Sequence, residues 1–236
     1  PLIVSEDPPG VEGYQFAVEG AAFISAAVEN GEVLWDEMEQ TKSPLVYRNA
    51  DGGELVFGAA IFRNTEEAKA PDPDGYIYIY GYQSEWIEKN LYAARIREAD
   101  FPQWDKMEYY DGTAWNPAIE KAACLCRNVS CEMSLSPYFG KLYQGKYIVV
   151  FTEYTNSPIV SCRISDSPVG PFSEIIRLYH CPEPELGYSI YTYNAKAHPG
   201  LSEPGRLLVS YNTNACSMEA NQELAMIYSP RFFEIC

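Results

Sequence analysis

The chain has 236 residues, a net charge of −16, 47% hydrophobic and 14% aromatic residues. That charge repels phosphate backbones and anionic membrane surfaces, and no basic stripe offsets it, so nucleic acid is not the expected partner. The aromatic content argues against disorder, and no apolar run reaches the roughly 20 residues that span a bilayer.

The predicted elements are nearly all strands. An incomplete opening unit holds strands at 21–28, 32–35 and 44–48. A second unit begins with a strand over Glu54–Phe62, and Thr65–Ala70 is expected to make one helical turn. Asp74-Gly75 then opens the run Tyr76-Ile77-Tyr78-Ile79-Tyr80, which Gly81 closes. Strands over Leu91–Ile96 and Met107–Tyr110 complete that unit. A third unit runs through Glu132–Phe139, Lys146–Thr152, Ile159–Ile164 and Glu174–Tyr179. A fourth runs through Tyr191–Ala197, Arg206–Tyr211, Glu223–Tyr228 and Phe232–Ile235. The segments 91–96 and 159–164 match in detail, which puts Arg95 and Arg163 at equivalent places of a repeat. Repeated four-stranded units spaced by about 50–70 residues predict one all-β domain over 1–236, a β-propeller of four-stranded antiparallel blades. Its units are expected at 14–50, 54–112, 131–180 and 190–236. Each such sheet has two apolar faces and must stack on its neighbours to bury them.

Seven cysteines, Cys124, Cys126, Cys131, Cys162, Cys181, Cys216 and Cys236, are disulfide candidates, and the odd number leaves one for a free thiol or for self-assembly with a partner chain. Asn128-Val129-Ser130 is a glycosylation acceptor triplet inside the first cysteine cluster, so a secreted, extracellular glycoprotein is expected. A chain that starts at Pro1 without methionine fits a processed or trimmed product. The spacing of Cys124, Cys126 and Cys131 does not fit a zinc site, and no cofactor is expected. Asp72-Pro73-Asp74-Gly75 could ligate structural calcium but lacks the full loop pattern, so a turn is the preferred reading.

Two stretches resemble a known family. One is Asp74–Gly81 followed by Leu91–Ile96 and Met107–Trp115. The other is Ser167–Phe172, then Tyr193–Leu201, Arg206–Asn214 and the closing Tyr228–Phe233. Together they are similar to secreted five-bladed β-propellers catalogued as domains of unknown function, of the DUF 4185 and DUF 5005 type. The resemblance implies kinship with propeller glycoside hydrolases, including endo-D-arabinanases. It also implies an opening blade with a Trp-Phe-Gly-Asp-like stretch. This chain has none, so part of an N-terminal blade is expected to be missing.

Glycoside hydrolysis needs one carboxyl group to protonate the leaving oxygen and another on the opposite face. Glu132, at the start of a predicted inner strand, Glu153, at the end of the following strand, and Glu85, in the loop after the corresponding strand of the preceding unit, are the candidate catalytic residues. Tyr193, Asn194, Lys196 and His198 alternate polar with small residues where an inner strand is expected. With Asn212 and Asn214 they are the candidate ligand-binding residues; the bland reading has them stitching adjacent blades. No serine–histidine–aspartate arrangement and no phosphate-cradling loop is present. The expected function is a glycoside-hydrolase-like propeller acting on or binding an extracellular polysaccharide. The alternative is a non-catalytic glycan-binding or assembly module.

Overall fold

A computed structural model describes residues 2–6, 16–50, 52–85, 87–138, 140–141 and 144–236, with side chains from Glu19 onward except Met218. Phe139, the expected end of one strand, lies outside the described residues. The chain is all-β and antiparallel, with a single short α-helix among the described residues.

Sheet one joins β1 (Leu2–Glu6), β2 (Phe16–Ser25) and β5 (Glu39–Ser43), and β3 (Val28–Glu29) and β4 (Glu32–Val33) form a small hairpin between β2 and β5. Sheet two runs in the order β11 (Trp115–Asn116), β10 (Glu108–Tyr110), β9 (Glu88–Arg97), β8 (Tyr76–Glu85), β7 (Glu54–Asn64) and β6 (Val46–Arg48), with β12 (Cys126–Val129) also paired to β9. Sheet three is a meander of β13 (Met133–Tyr138), β14 (Lys146–Thr152), β15 (Ile159–Ser165) and β16 (Ile176–His180). Sheet four joins β17 (Ile190–Ala197), β18 (Leu207–Ala215) and β19 (Pro230–Ile235).

The sheets bury each other's faces in chain order. Along β14, Tyr147, Val149 and Phe151 pack into a cluster with Tyr78, Tyr80 and Leu91 of sheet two. The intervening Ile148 and Val150 pack with Ala195, Leu207 and Val209 of sheet four. Successive strand side chains point to opposite faces. A strand covered on both sides therefore reads as the unbroken apolar run Tyr147-Ile148-Val149-Val150-Phe151. Sheet two turns Phe57, Ile77 and Ile79 toward Ala21 of sheet one. There Phe23 meets Phe101 and Trp104 edge-on, each at 5.4 Å between ring centres. β18 instead alternates buried and half-buried residues, because only one of its faces is covered.

Polar bonds cross the same interfaces. Tyr147 donates its hydroxyl to Asn64 Oδ1 at 2.8 Å, and Tyr80 donates to the Pro168 carbonyl at 2.9 Å. Asn64 is almost fully buried, so its acceptor depends on that partner. One glycine pair is required by close approach. β7 bulges between Phe57 and Ala60, with Gly58 at φ +100°, and a Cβ on the facing Gly81 would sit 2.4 Å from the Val56 carbonyl oxygen.

Four expectations change. Pro44–Arg48 supplies β6, which pairs with β7 in sheet two rather than with the opening strands. The expected strand at 223–228 is instead the short helix α1 (Met218–Glu223) and a series of turns; Ser217 caps the helix by accepting the Ala220 amide at 3.1 Å. Arg95 and Arg163 are not equivalent. Arg95 shares a face with Tyr78 and looks toward sheet three, stacking 4.0 Å over Tyr76 and 4.1 Å over Trp115. Arg163 lies opposite Val149 and looks toward sheet two, donating to the Arg127 carbonyl at 2.8 Å. A one-residue slip between matched strands reverses the face, so both arginines enter one interface from opposite sides. The fourth change concerns the cysteines. All seven are free thiols, and Cys162 and Cys181 serve as small apolar core residues between sheets three and four.

Two outcomes test this packing. Phe151→Ala is expected to lower the unfolding free energy by about 3–5 kcal/mol in urea titration, the usual cost of emptying a buried aromatic site. A thiol reagent is expected to label Cys124, Cys216 and Cys236 in the folded protein, and Cys162 and Cys181 only after denaturation.

Candidate functional site

The strands β7, β13 and β17, one from each of sheets two, three and four, lie side by side. They form the wall of a groove of about 1360 Å³, completed by the turn around Pro199 and Gly205. Its surface follows from alternation along β13. Met133 and Leu135 pack in the cluster shared with sheet two while also bordering the groove, and Ser134 and Ser136 face away from that cluster. Ser134 Oγ accepts the Ala197 amide at 2.7 Å and ties β13 to β17. Ser136 is only 6% exposed, lines the groove, and its hydroxyl has no hydrogen-bond partner among the described residues.

A bulge in β17 aims the next residues. The pairing with β18 shifts between Tyr193 and Lys196, and Asn194 takes φ +57°, a left-handed conformation that asparagine tolerates better than most residues. The Asn194 side-chain oxygen is buried and without a partner among the described residues. Past the bulge, Lys196 Nζ lines the groove and donates to the Met133 carbonyl at 3.0 Å. Glu132 precedes β13 at the same end. Burial pushes its carboxyl above the usual range, an effect only partly offset by the Lys196 charge. Burial likewise lowers Lys196, with Glu132 and then Cys131 opposing the shift. His198 Nε2 lies 2.7 Å from Ser210 Oγ, and Ser202 Oγ donates to the His198 carbonyl at 2.7 Å. Burial first, and Lys196 second, depress the imidazole, which favours a neutral His198 that joins β17 to β18.

The three nominated carboxylates have different surroundings. None of the three lines the groove; Glu132 directly precedes the lining residue Met133. Glu153 is buried, accepts Ser161 Oγ at 2.6 Å, and takes Arg177 Nε at 3.0 Å and Nη2 at 3.2 Å. Burial raises its carboxyl, but the Arg177 and Ser161 bonds outweigh that and leave it lowered. Glu85 is exposed at the tip of the β8–β9 hairpin, 3.9 Å from Arg127. Of the nominated binding residues, Tyr193 and Asn212 line a separate cavity of about 160 Å³ with Tyr228. Burial, with Tyr228 and Tyr191 nearby, pushes the Tyr193 hydroxyl up to about 12. Asn214 turns its oxygen onto the Ala215 amide at 2.8 Å.

Other motifs resolve locally. Asp74 accepts from Asn64 Nδ2 at 2.9 Å, the Tyr76 amide at 3.1 Å and the Tyr78 hydroxyl at 2.7 Å, so both carboxylate oxygens organise the turn at 72–75. Among the described residues no three His, Cys, Asp or Glu side chains gather as a metal site. Asn128 sits in β12 at φ +59°, half-buried, with Ser130 fully buried beside it. The groove's serines and its basic rim of Arg63, Lys69, Lys141 and Arg206 were not nominated from sequence. Only the apolar/serine alternation of β13 hinted at them, since the rim residues are far apart in the chain.

A family model described as a domain of unknown function, DUF5005, matches residues 36–236. No curated protein matches. A solved structure of a candidate hydrolase from Bacteroides ovatus ATCC 8483 superposes with a TM-score of 0.55 at 24% identity, over 75% of this chain and 44% of that one. That likeness is one of fold, and the present chain spans less than half of that protein's length.

The Glu153–Arg177 pair gives a signed expectation. A carboxyl lowered by folding stabilises the protein above its unfolded value, and that stability is lost as pH falls through the lowered value. Arg177→Ala is expected to lower the thermal midpoint at neutral pH, with the gap to the parent closing as scanning calorimetry moves to acid pH and Glu153 is protonated.

Proposed function

This chain belongs to the DUF5005 family, and on that footing we propose that it is a secreted, carbohydrate-active β-propeller, glycoside-hydrolase-like, that holds an extracellular polysaccharide in its groove. The propeller reading is supported by sheets stacked in chain order with β7, β13 and β17 gathered on one groove. The kinship with endo-D-arabinanases and DUF 4185 is part of the same proposal. Of the family-like stretch Tyr193–Leu201, Lys196, Ala197, Pro199 and Gly200 line this groove, and the B. ovatus neighbour is described as a candidate hydrolase. Among the described residues no helix is long and apolar enough to cross a membrane.

One observation carries the reading: Glu132, half-buried and directly before the groove-lining Met133 and near Lys196, has its carboxyl raised by burial. A raised carboxyl keeps its proton to higher pH and can deliver it to a glycosidic oxygen. Lys196 beside it can hold the resulting carboxylate. The alternative is a non-catalytic glycan-binding module. It is favoured by Glu153 and Glu85 being engaged with Arg177 and Arg127 rather than facing Glu132 across the groove.

The test is incubation with a panel of arabinans, following new reducing ends. Glu132→Gln is expected to reduce release by about 10²–10⁴-fold, the usual contribution of a general acid, with binding retained. Parent activity is expected to fall as pH rises through the raised Glu132 value, because the acid form is then lost. Glycan binding without turnover would establish the binding module. The absence of both binding and turnover would overturn the proposal. Intact mass before and after deglycosylation tests Asn128 and secretion together.

A further inference from the structure

The groove's charge runs against that of the whole chain. The protein has 33 Asp and Glu against 17 Lys and Arg. The groove lining reverses this balance: Arg63, Lys69, Lys141, Lys196 and Arg206 outnumber Glu67 and Glu203. Four of these cations lie at one mouth. Arg63 ends β7, Lys69 follows it in the next turn, Lys141 follows β13, and Arg206 precedes β18. The parallel bridge between Gly140 and Gly205 brings the last two together, and a Cβ on Gly205 would touch the Lys141 side chain at 3.5 Å. Arg63 is anchored on Glu98, and Arg206 on Glu234 at 2.6 Å. Each guanidinium keeps further N–H donors beyond those bonds. Lys69 and Lys141 make no ion pair among the described residues. The second observation is the Ser136 hydroxyl, 6% exposed and unpartnered beside this mouth, a buried polar atom that a ligand oxygen would satisfy.

We propose that this mouth is a subsite for an acidic polysaccharide, one whose sugar rings carry carboxylate or sulfate groups. The anion sits among Lys69, Lys141, Arg63 and Arg206, and a neighbouring hydroxyl of the same chain bonds Ser136. The inference rests on the polysaccharide reading above and names its chemistry. A net charge of −16 repels polyanions from the rest of the surface, so only a focused local site can hold one. A nucleic acid is the weaker fit. Single strands need exposed aromatic faces for their bases, and the aromatic residues of the lining, Phe62 and Tyr138, are both buried.

The experiment is titration calorimetry of the whole chain with polygalacturonate, its fully methyl-esterified form, dextran sulfate, plain dextran, linear arabinan and an oligonucleotide. At least one acidic glycan is expected to bind about tenfold tighter than its neutral counterpart, and the preference is expected to shrink as salt rises. Whether polygalacturonate or dextran sulfate wins identifies the anion. Lys69→Asn combined with Lys141→Gln is expected to remove about tenfold of the acidic affinity and none of the neutral affinity, the scale of two partly exposed charge contacts. Asparagine suits the φ of +54° at position 69, and an unchanged thermal midpoint shows that the variant folds. Equal binding of esterified and free polygalacturonate together with equal binding of dextran and dextran sulfate, or unchanged acidic affinity in the double variant, would overturn the subsite. So would an oligonucleotide that binds as tightly as the acidic glycans. Arabinan binding without any acidic preference would sink this inference and leave the wider reading standing; silence from every glycan would sink both.

Discussion

Sheet three has two apolar faces, and a meander of four strands cannot bury either by itself. Its Tyr147, Val149 and Phe151 need sheet two, and its Ile148 and Val150 need sheet four. Each large buried side chain contributes roughly 1.5–3 kcal/mol by leaving water. No sheet in the series is therefore independent of its neighbours. The polar crossings obey the same constraint. The Tyr147–Asn64 bond is made at the bottom of an interface that apolar packing has already closed.

Stacking by faces also sets where chemistry can occur. When consecutive sheets pack face to face, β7, β13 and β17 are left side by side with one edge toward open space. That edge is the groove. Its lining mixes Ser134 and Ser136 with Met133 and Leu135 of the same strand, which also pack in the sheet interface. The bulge at Asn194 then places Lys196 beside the start of β13 and near Glu132. Half-burial separates the protonation behaviour of these two from that of Glu153, which burial would raise but Arg177 holds down.

The carboxylates show how strongly surroundings decide role. Glu132, Glu153 and Glu85 all lie near strand ends and look alike in sequence. One is half-buried with a lysine nearby, one is locked by a bidentate arginine and a serine, and one is solvated at a hairpin tip. The second is a clasp between a turn and β16. The basic mouth of the groove is likewise a product of assembly, since Arg63, Lys69, Lys141 and Arg206 come from separate parts of the chain.

Period-two patterning was enough to find most strands, because the information is local. The run over 146–152 names a strand covered on both faces, and observed β14 has those bounds. Local pattern was not enough where one residue of register changes the answer. Arg95 and Arg163 looked equivalent, and a slip of one position turned them to opposite sides. It also missed α1, where a short mixed segment beside a serine cap folds as a helix turn, and it assigned β6 to the wrong neighbour because pairing partners are not written in either strand alone. The cysteines look like a disulfide framework by count, yet Cys162 and Cys181 point into apolar packing. Composition and alternation thus determined an all-β chain of mutually dependent sheets. Tertiary structure alone decided which charged and hydroxyl groups share a groove, because residues far apart in sequence acquire a common field and a common desolvation only when the sheets close on one another.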